Sequence, residues 1–462
     1  MIMLDQYILH IFVFCPLIAS IFIMLIPASD LGSKLAASKF FALFGFFAYL
    51  RLMTFFLDQS VPTEVILSLG SAYFRVNLTL FISKFNMILY GIASIVLLYN
   101  TFTYDINNAK TNIHHVTPFV LTFVIFISFS QNDLRVALPI LSIANFLVYF
   151  IIGSFDSVRR GFTIFQMGVF IFSCDALALV LLQIPQKNFS EGTQPMFFAI
   201  ILLPAFARLC MPMLAPFAKK LFLNTNNIEG SFLIIFEQMA GFFVLHLVKA
   251  DLNEISRPLF IFIVLATTLG IIYAGFSAII DKNISIMPHY FLVFYSSIAV
   301  TTAFISKDNS MFNAIMSLYS TNIICFFCLL RFFEFYNTYP SESRLLAHKI
   351  LYYIGISMFI GVPGIGVGNS LWYLIFDFVQ KSTLLNMPWM MVTIVVIWLF
   401  VLTLLGIAMI VSIMNTDSLA NFAMSPNSAY RMQPYMLFAP VLIMIASWLI
   451  PWGIFFLAAQ GL

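Results

Sequence analysis

The sequence predicts an all-α integral membrane protein of about fourteen transmembrane helices, and three observations carry that prediction. The first is composition: the 462 residues are 62% hydrophobic and 9% charged, against about 25% charged in an ordinary soluble domain. So few charges cannot clothe that much apolar surface in water, whereas a bilayer accepts it wherever it faces lipid. The second is the recurrence of apolar runs long enough to cross a hydrocarbon core. The third is the shortness of the polar connections between them. None is long enough to fold alone, so residues 1–462 read as a single polytopic membrane domain.

The first run, 7–27, follows Asp5 and has no basic n-region, so it reads as a retained span rather than a cleaved signal. Runs at 36–57 and 79–103 complete a flanking group within 1–103. Runs at 116–131, 135–155, 161–183, 195–217 and 230–250 follow, separated by connections such as "DSVRRG" (156–161) and "QKNFSEGTQ" (186–194). Four more lie at 256–280, 284–305, 309–335 and 349–378, the last two joined by "NTYPSESRLLAHK" (337–349). Runs at 389–415 and 434–459 close the chain. An even number of spans puts both termini on one side. Alternate connections carry about eleven and about eight Lys and Arg, and the positive-inside rule places both termini outside the cytoplasm.

Composition also excludes function classes. A net charge of +3 implies no nucleic-acid partner. The five cysteines, Cys15, Cys174, Cys210, Cys325 and Cys328, lie in apolar runs without nearby histidines in ligand spacing, so neither a disulfide framework nor a metal site is read. The 55 phenylalanines read as lipid-facing filler. No nucleotide-binding, metalloprotease or hydrolase motif occurs in a suitable context. "GVPGIGVG" (361–368) is glycine-rich, but it lies inside an apolar run with no strand before it. No catalytic site and no cofactor are read in the chain, which leaves transport, energy coupling or a scaffold in the bilayer.

An ionisable group at bilayer depth costs about 2.5–3.5 kcal/mol on insertion scales, so it faces a bundle interior and finds a partner. Arg51, Lys84, Lys249, His289, Arg331, Glu334 and Asp377 lie toward span ends, where long side chains snorkel to the interface. Asp175, Arg208 and Glu237 are different, because each sits near the middle of its span and the three spans are consecutive. Two acids and one base on neighbouring helices can form a static, mutually neutralising cluster. They can equally form a protonatable relay, with Asp175 or Glu237 exchanging a proton and Arg208 tuning its affinity.

Proline supplies a second pattern. Pro212 and Pro216 interrupt one span, and Pro363 with Gly364 interrupts another about 150 residues later. Unpaired backbone groups at membrane depth survive only where protein or a wet cavity covers them, and discontinuous helices are a recurrent device of ion-coupled membrane proteins. The spacing suggests repeats at about 116–250 and 256–378, each with its own broken helix.

These features fall in a recognisable order. "PMLAPFAKKLFLNTNNIEGSFLIIFEQMAGFF" (212–243) resembles the P-x-x-P-F-H-x-W-L-P-x-A-H-x-E-A-P-x-x-G-S segment of the antiporter-like subunits of respiratory complex I and of Mrp-type antiporters. Pro212, Pro216, Phe217, Gly230 and Ser231 match, with the second proline one place late. "RRGFTIFQMGVFIFS" (159–173) is similar to the family's R-R-x-x-A-x-x-K-F-F-x-x-T. "IIDKNISIMPHYFLVFYSSIAVTTA" (279–303) resembles D-x-K-R-x-x-A-Y-S-S-x-S-H-M-G at Asp281, Lys282, Tyr295, Ser296 and Ser297. "GVPGIGVGNSLW" (361–372) resembles G-L-P-G-x-x-x-F-x-x-E.

The resemblance implies two inverted five-helix repeats, each with a broken helix, in a larger energy-coupling assembly. It also implies a midplane proton route through a glutamate on the fifth span, lysines on the seventh and eighth, and a lysine or glutamate on the twelfth. Here the fifth-span position falls near Ser142, the eighth near Ala240 and the twelfth near Leu371, all uncharged. The seventh falls near Cys210 or Met211, about a turn from Arg208, and the eleventh-span histidine near Ser320 or Thr321. Arg208 stays protonated at physiological pH and cannot shuttle as lysine does. Glu237 lies three residues before the eighth-span position and reverses its charge.

The expectation is therefore a membrane subunit of a complex I-like or Mrp-like assembly that translocates protons or sodium, with its own conduction in question. The alternatives are a non-conducting scaffold or docking subunit, and an independent transporter of a small anion drawn to Arg208. Expected partners are other membrane subunits and a soluble partner protein, with any NADH or quinone chemistry residing in them. The expected location is the bacterial plasma membrane, with the mitochondrial inner membrane as the alternative.

Overall fold

The computed structural model describes residues 2–27, 29–58, 63–71, 74–103, 112–155, 158–184, 194–209, 227–251, 257–281, 286–305, 318–319, 322–323, 360, 367–382 and 388–419. Pro212, Pro216, Pro363 and Gly364 lie outside these residues, as do Arg331, Glu334 and the run at 434–459.

Among the described residues there are thirteen helices and one hairpin. The helices are α1 (Ile2–Leu25), α2 (Leu31–Asp58), α3 (Lys84–Thr103), α4 (Asn112–Phe129), α5 (Leu134–Phe155), α6 (Val158–Leu182) and α7 (Gln194–Ile201). They continue with α8 (Leu203–Arg208), α9 (Asn227–Asp251), α10 (Arg257–Asp281), α11 (Met287–Ile305), α12 (Val367–Ser382) and α13 (Pro388–Leu419). Six described stretches are long and apolar enough to cross a membrane: Ile8–Leu25, Leu31–Thr54, Phe85–Phe102, Phe165–Leu182, Pro258–Asp281 and Val392–Ser412. Shorter apolar helices at His115–Phe129, Leu134–Phe146, Met196–Arg208, Ile235–Val248 and His289–Phe304 accompany them.

The hairpin departs from an all-helical reading. Strands β1 (Thr63–Ser71) and β2 (Phe74–Ile82) pair antiparallel, and the third helix begins only at Lys84, not at residue 79. The cause is a period of two: Phe74, Val76, Leu78, Leu80 and Ile82 alternate with Arg75, Asn77 and Thr79. The register sets Val65 opposite Leu80, Leu67 opposite Leu78 and Leu69 opposite Val76. The Phe81 N–H donates to the Ser130 carbonyl at 2.8 Å, tying the hairpin to the end of α4.

The helices start where sequence chemistry allows. Asp30 accepts the Ser33 N–H at 3.0 Å and caps α2, Ser83 accepts the Asn86 N–H at 3.2 Å before α3, and Asp133 accepts the Arg135 N–H at 2.8 Å before α5. Their outward faces are apolar: Phe40, Leu43, Phe44 and Phe47 form an exposed stripe on α2, and Val392, Val396, Phe400 and Ile407 form one on α13. Spacings of three and four residues put each stripe on one side, the face a lipid-bathed helix presents.

The chain divides into two compact units, Met1–Ala205 with Phe232–Leu252, and Phe206–Ser231 with Asn253–Leu462. In the first, Phe12 of α1, Tyr90 of α3 and Phe126 of α4 meet with ring centroids 4.3–5.4 Å apart. Phe243 of α9 packs against Phe129 of α4 at 4.9 Å, and His246 lies over Phe85 of α3 at 4.1 Å. In the second, the Thr267 and Thr301 hydroxyls join α10 to α11 at 2.7 Å, and Trp398 of α13 packs on Phe378 of α12 at 4.9 Å.

Candidate functional site

Helix α6 buries Ile171, Cys174, Asp175, Ala178 and Leu182, while Val169, Phe170, Phe172, Leu177 and Val180 are exposed. Intervals of three and four residues place the buried set on one stripe, and Asp175 lies within it. On α5 the inner stripe is Leu134, Ala137, Leu138, Leu141, Ser142 and Asn145, with Val136, Ile143 and Phe146 outside. Apolar packing along these faces therefore carries two polar side chains of α5 and one acid of α6 inward together.

The two stripes meet at a hydrogen bond. Ser142 Oγ lies 2.5 Å from Asp175 Oδ2, and both residues are buried, Asp175 to 0% exposure. Ser142 Oγ also lies 2.8 Å from the carbonyl oxygen of Leu138, one turn back on its own helix. The acid that the sequence left without a counterpart is thus bonded to Ser142, near which the resemblance set the fifth-span glutamate.

Glu237 stands on α9, where every described residue from Ile235 to Leu245 is buried. A helix apolar on all sides belongs to an interior. Glu237 and its neighbour Gln238 are the polar groups it carries there, at 5% and 1% exposure. Arg208 closes α8 and is fully buried. Asp175 and Glu237 belong to the first unit and Arg208 to the second. Arg208 Nε and Glu237 Oε2 make no hydrogen bond at those atoms, while both side chains have other interactions.

The chain is interrupted before Arg208. Helix α7 ends at Ile201, Leu202 is a turn, and α8 begins at Leu203. Pro204, at the second position of α8, explains the break, because it has no N–H for the carbonyl four residues back and its ring crowds that carbonyl. Sequence reasoning fastened on Pro212 and Pro216 and passed over this earlier proline.

Other polar residues were also missed. Lys34, His115, Asn145 and Asn322 are all buried. Asn322 lies three residues along the chain from Tyr319, whose hydroxyl donates to the Tyr295 carbonyl at 2.9 Å. Ala240 and Leu371, near which the resemblance set the eighth- and twelfth-span positions, are fully buried and carry no charge. Among the residues read as snorkelling, Arg51 is exposed, whereas His289 is buried against Tyr290, whose hydroxyl donates to Asp281.

Neither the family models nor the curated proteins contain a match for the sequence. Solved structures do match in fold. A chain of respiratory complex I from Thermus thermophilus with bound aureothin aligns at TM-score 0.68 and 11% identity, over 97% of this chain and 96% of that one. A chain of the membrane-bound sulfane sulfur reductase, an archaeal respiratory membrane complex, aligns at TM-score 0.71 and 14% identity, over 96% of each. A chain of the Mrp complex from Dietzia sp. DQ12-45-1b aligns at TM-score 0.73 and 9% identity, over 98% of this chain and 96% of that one. At these identities the likeness is one of fold, shared with chains of membrane complexes of the kind the sequence resemblance named.

Proposed function

We propose that this chain is a membrane subunit of an ion-translocating assembly of the complex I or Mrp kind, moving protons or sodium, with Asp175, Arg208 and Glu237 as the charges of its pathway. The observation that carries the reading is the 2.5 Å bond between Ser142 and Asp175. The resemblance sets the family's fifth-span glutamate near Ser142, and α6 supplies a carboxylate to that serine. A buried acid in such a place is a proton carrier or a cation ligand. Arg208 keeps its proton, so it is a fixed charge rather than a carrier, and Glu237 is the second group able to exchange one. The same reading includes fourteen spans, inverted five-helix repeats at about 116–250 and 256–378, helix breaks at Pro212, Pro216, Pro363 and Gly364, and a bacterial plasma membrane.

A specific observation also favours a non-conducting docking subunit. Ala240 and Leu371 are buried and uncharged where the family carries relay groups, which leaves the eighth- and twelfth-span steps without a carrier. Substitution separates the two readings. Asp175→Asn and Glu237→Gln are expected to abolish ion-coupled activity of the assembly while it remains intact. Full activity in both would leave the docking reading, under which deletion of the chain disperses its neighbours. Purification in mild detergent, with identification of the co-purifying chains, decides the partners: a soluble redox arm, small Mrp-type subunits, or a single soluble protein.

A further inference from the structure

Ser142 has more acceptors than it can serve. Its hydroxyl owns one hydrogen and two lone pairs, and a backbone carbonyl can only accept. Yet Oγ lies 2.8 Å from the Leu138 carbonyl oxygen and 2.5 Å from Asp175 Oδ2. Ser142 cannot donate fully to both at once.

Each charge state of Asp175 resolves the conflict differently. When the carboxyl is ionised, the serine hydrogen turns to Oδ2 in a charge-assisted bond, for which about 2.5–2.7 Å is the ordinary length. When the carboxyl carries a proton, its O–H donates to a lone pair of Oγ, and the serine hydrogen turns to the Leu138 carbonyl. The two arrangements differ by rotation about the Cβ–Oγ bond. No heavy atom has to move.

We infer that Ser142 is a hydroxyl switch that follows the proton on Asp175 and lets a fully buried carboxyl take up and release that proton without repacking α5 against α6. The proton forms the O–H bond at Oδ2 on arrival from pathway water and returns to water on leaving, while the serine keeps its own hydrogen. Ser142 is thus a positioning residue acting through Asp175. Leu138, Leu141, Ile171 and Ala178 are fully buried on the same stripes of the two helices, with Asn145 the other buried polar side chain of the α5 stripe, and an unsatisfied charge is costly at such burial. By sequence, α5 carries two other charged or titratable residues, Arg135 and Tyr149, each seven residues from Ser142, and α7 carries none. Seven residues are about 10 Å along a helix, and Arg135 is exposed. Beyond Asp175 itself, α6 carries Arg159, Arg160 and Cys174. The inference rests on the proposed function only for the ion, since a sodium-moving assembly would leave the switch unused.

Infrared difference spectroscopy of the full chain in lipid nanodiscs, between acid and alkaline buffer, reads the switch directly. A protonated-carboxyl C=O band that is lost in Asp175→Asn belongs to Asp175. Ser142→Ala removes the acceptor of the carboxyl hydrogen, so that band is expected to move to higher frequency, and Ser142→Thr is expected to restore it. If the alanine variant does not fold, Ser142→Cys, a weaker partner, is expected to shift the band part of the way. A band indifferent to residue 142, or no Asp175 band across the titration, overturns the switch. Ion-coupled activity of Asp175→Asn is a separate readout: expected band shifts with activity unchanged would retain the switch and reject the proposed function.

Discussion

Replacing Gly275 by alanine is expected to destabilise the second unit by about 1–3 kcal/mol, the usual cost of overpacking a well-filled interface. A Cβ at Gly275 would stand 2.8 Å from Val401 Cγ1, with Cγ2 and Cβ of the same valine at 3.4 and 3.5 Å. Comfortable carbon–carbon contact begins near 3.5 Å, so the closest approach is short by roughly 0.7 Å (3.5 − 2.8). Val401 has no easy retreat, because a β-branched side chain in a helix holds one χ1 rotamer about 90% of the time. Helices α10 and α13 must part instead, loosening Ala274, Ala278 and Leu405, which are buried on these two helices. Val401→Ala removes both γ-methyls at roughly 1.5 kcal/mol, taking about 0.8 kcal/mol for each, and removes the obstruction with them. The double variant is therefore expected to lose about 1–2 kcal/mol less than the sum of the single variants. Unfolding in mild detergent, titrated with a denaturing detergent and followed by circular dichroism, measures all four proteins. An alanine variant as stable as the wild type, or strict additivity in the double variant, would refute the close approach.

Other outcomes follow from single contacts. Thr267→Val removes one half of a hydroxyl pair joining α10 to α11 at 2.7 Å; such bonds in membranes average about 0.6 kcal/mol and reach about 1.7, and a double-variant cycle with Thr301→Val is expected to return that coupling. Both amide atoms of Asn322 are buried without a hydrogen-bond partner, an arrangement that costs about 1–3 kcal/mol; Asn322→Leu is expected to raise the melting temperature, and a fall would show that the amide is satisfied in the bilayer. The Ser33 side chain and N–H, with the charge of Lys34, hold the Asp30 carboxyl below its ordinary value of 3.8. A depressed carboxylate stabilises above its unfolded value and loses that contribution as pH falls through the folded one. Thermal stability is therefore expected to fall on the acid side of 3.8, and Asp30→Ala is expected to flatten that part of the profile.

Much of the fold was legible because hydropathy accumulates along the chain without reference to partners. The apolar runs, the exposed phenylalanine stripe of α2 and the inward stripe bearing Asp175 all follow from composition and a helical period. The hairpin was not read from the sequence: its signal is the alternation from Phe74 to Ile82, and length-based reading takes residues 79–82 for the start of α3. Pro204 was hidden among the four prolines of one run, of which Pro212 and Pro216 matched a family segment. Ser142 looked like a lost glutamate when its own helix alone was considered.

What the sequence by itself determined is that this chain dwells in a membrane, and that Asp175, Arg208 and Glu237 are among the few charges it buries there, whereas the burial of Lys34 and His289 emerged only in the fold. Which acid meets which hydroxyl was decided by tertiary structure. Ser142 and Asp175 are 33 residues apart on different helices, and their meeting depends on the rotation of α5 and α6 about their own axes. A helix turns about 100° for each residue, at 3.6 residues per turn, so a shift of one place would aim Asp175 elsewhere. That rotation is set by how the two apolar faces interlock, a property of the pair that neither stretch of sequence contains alone.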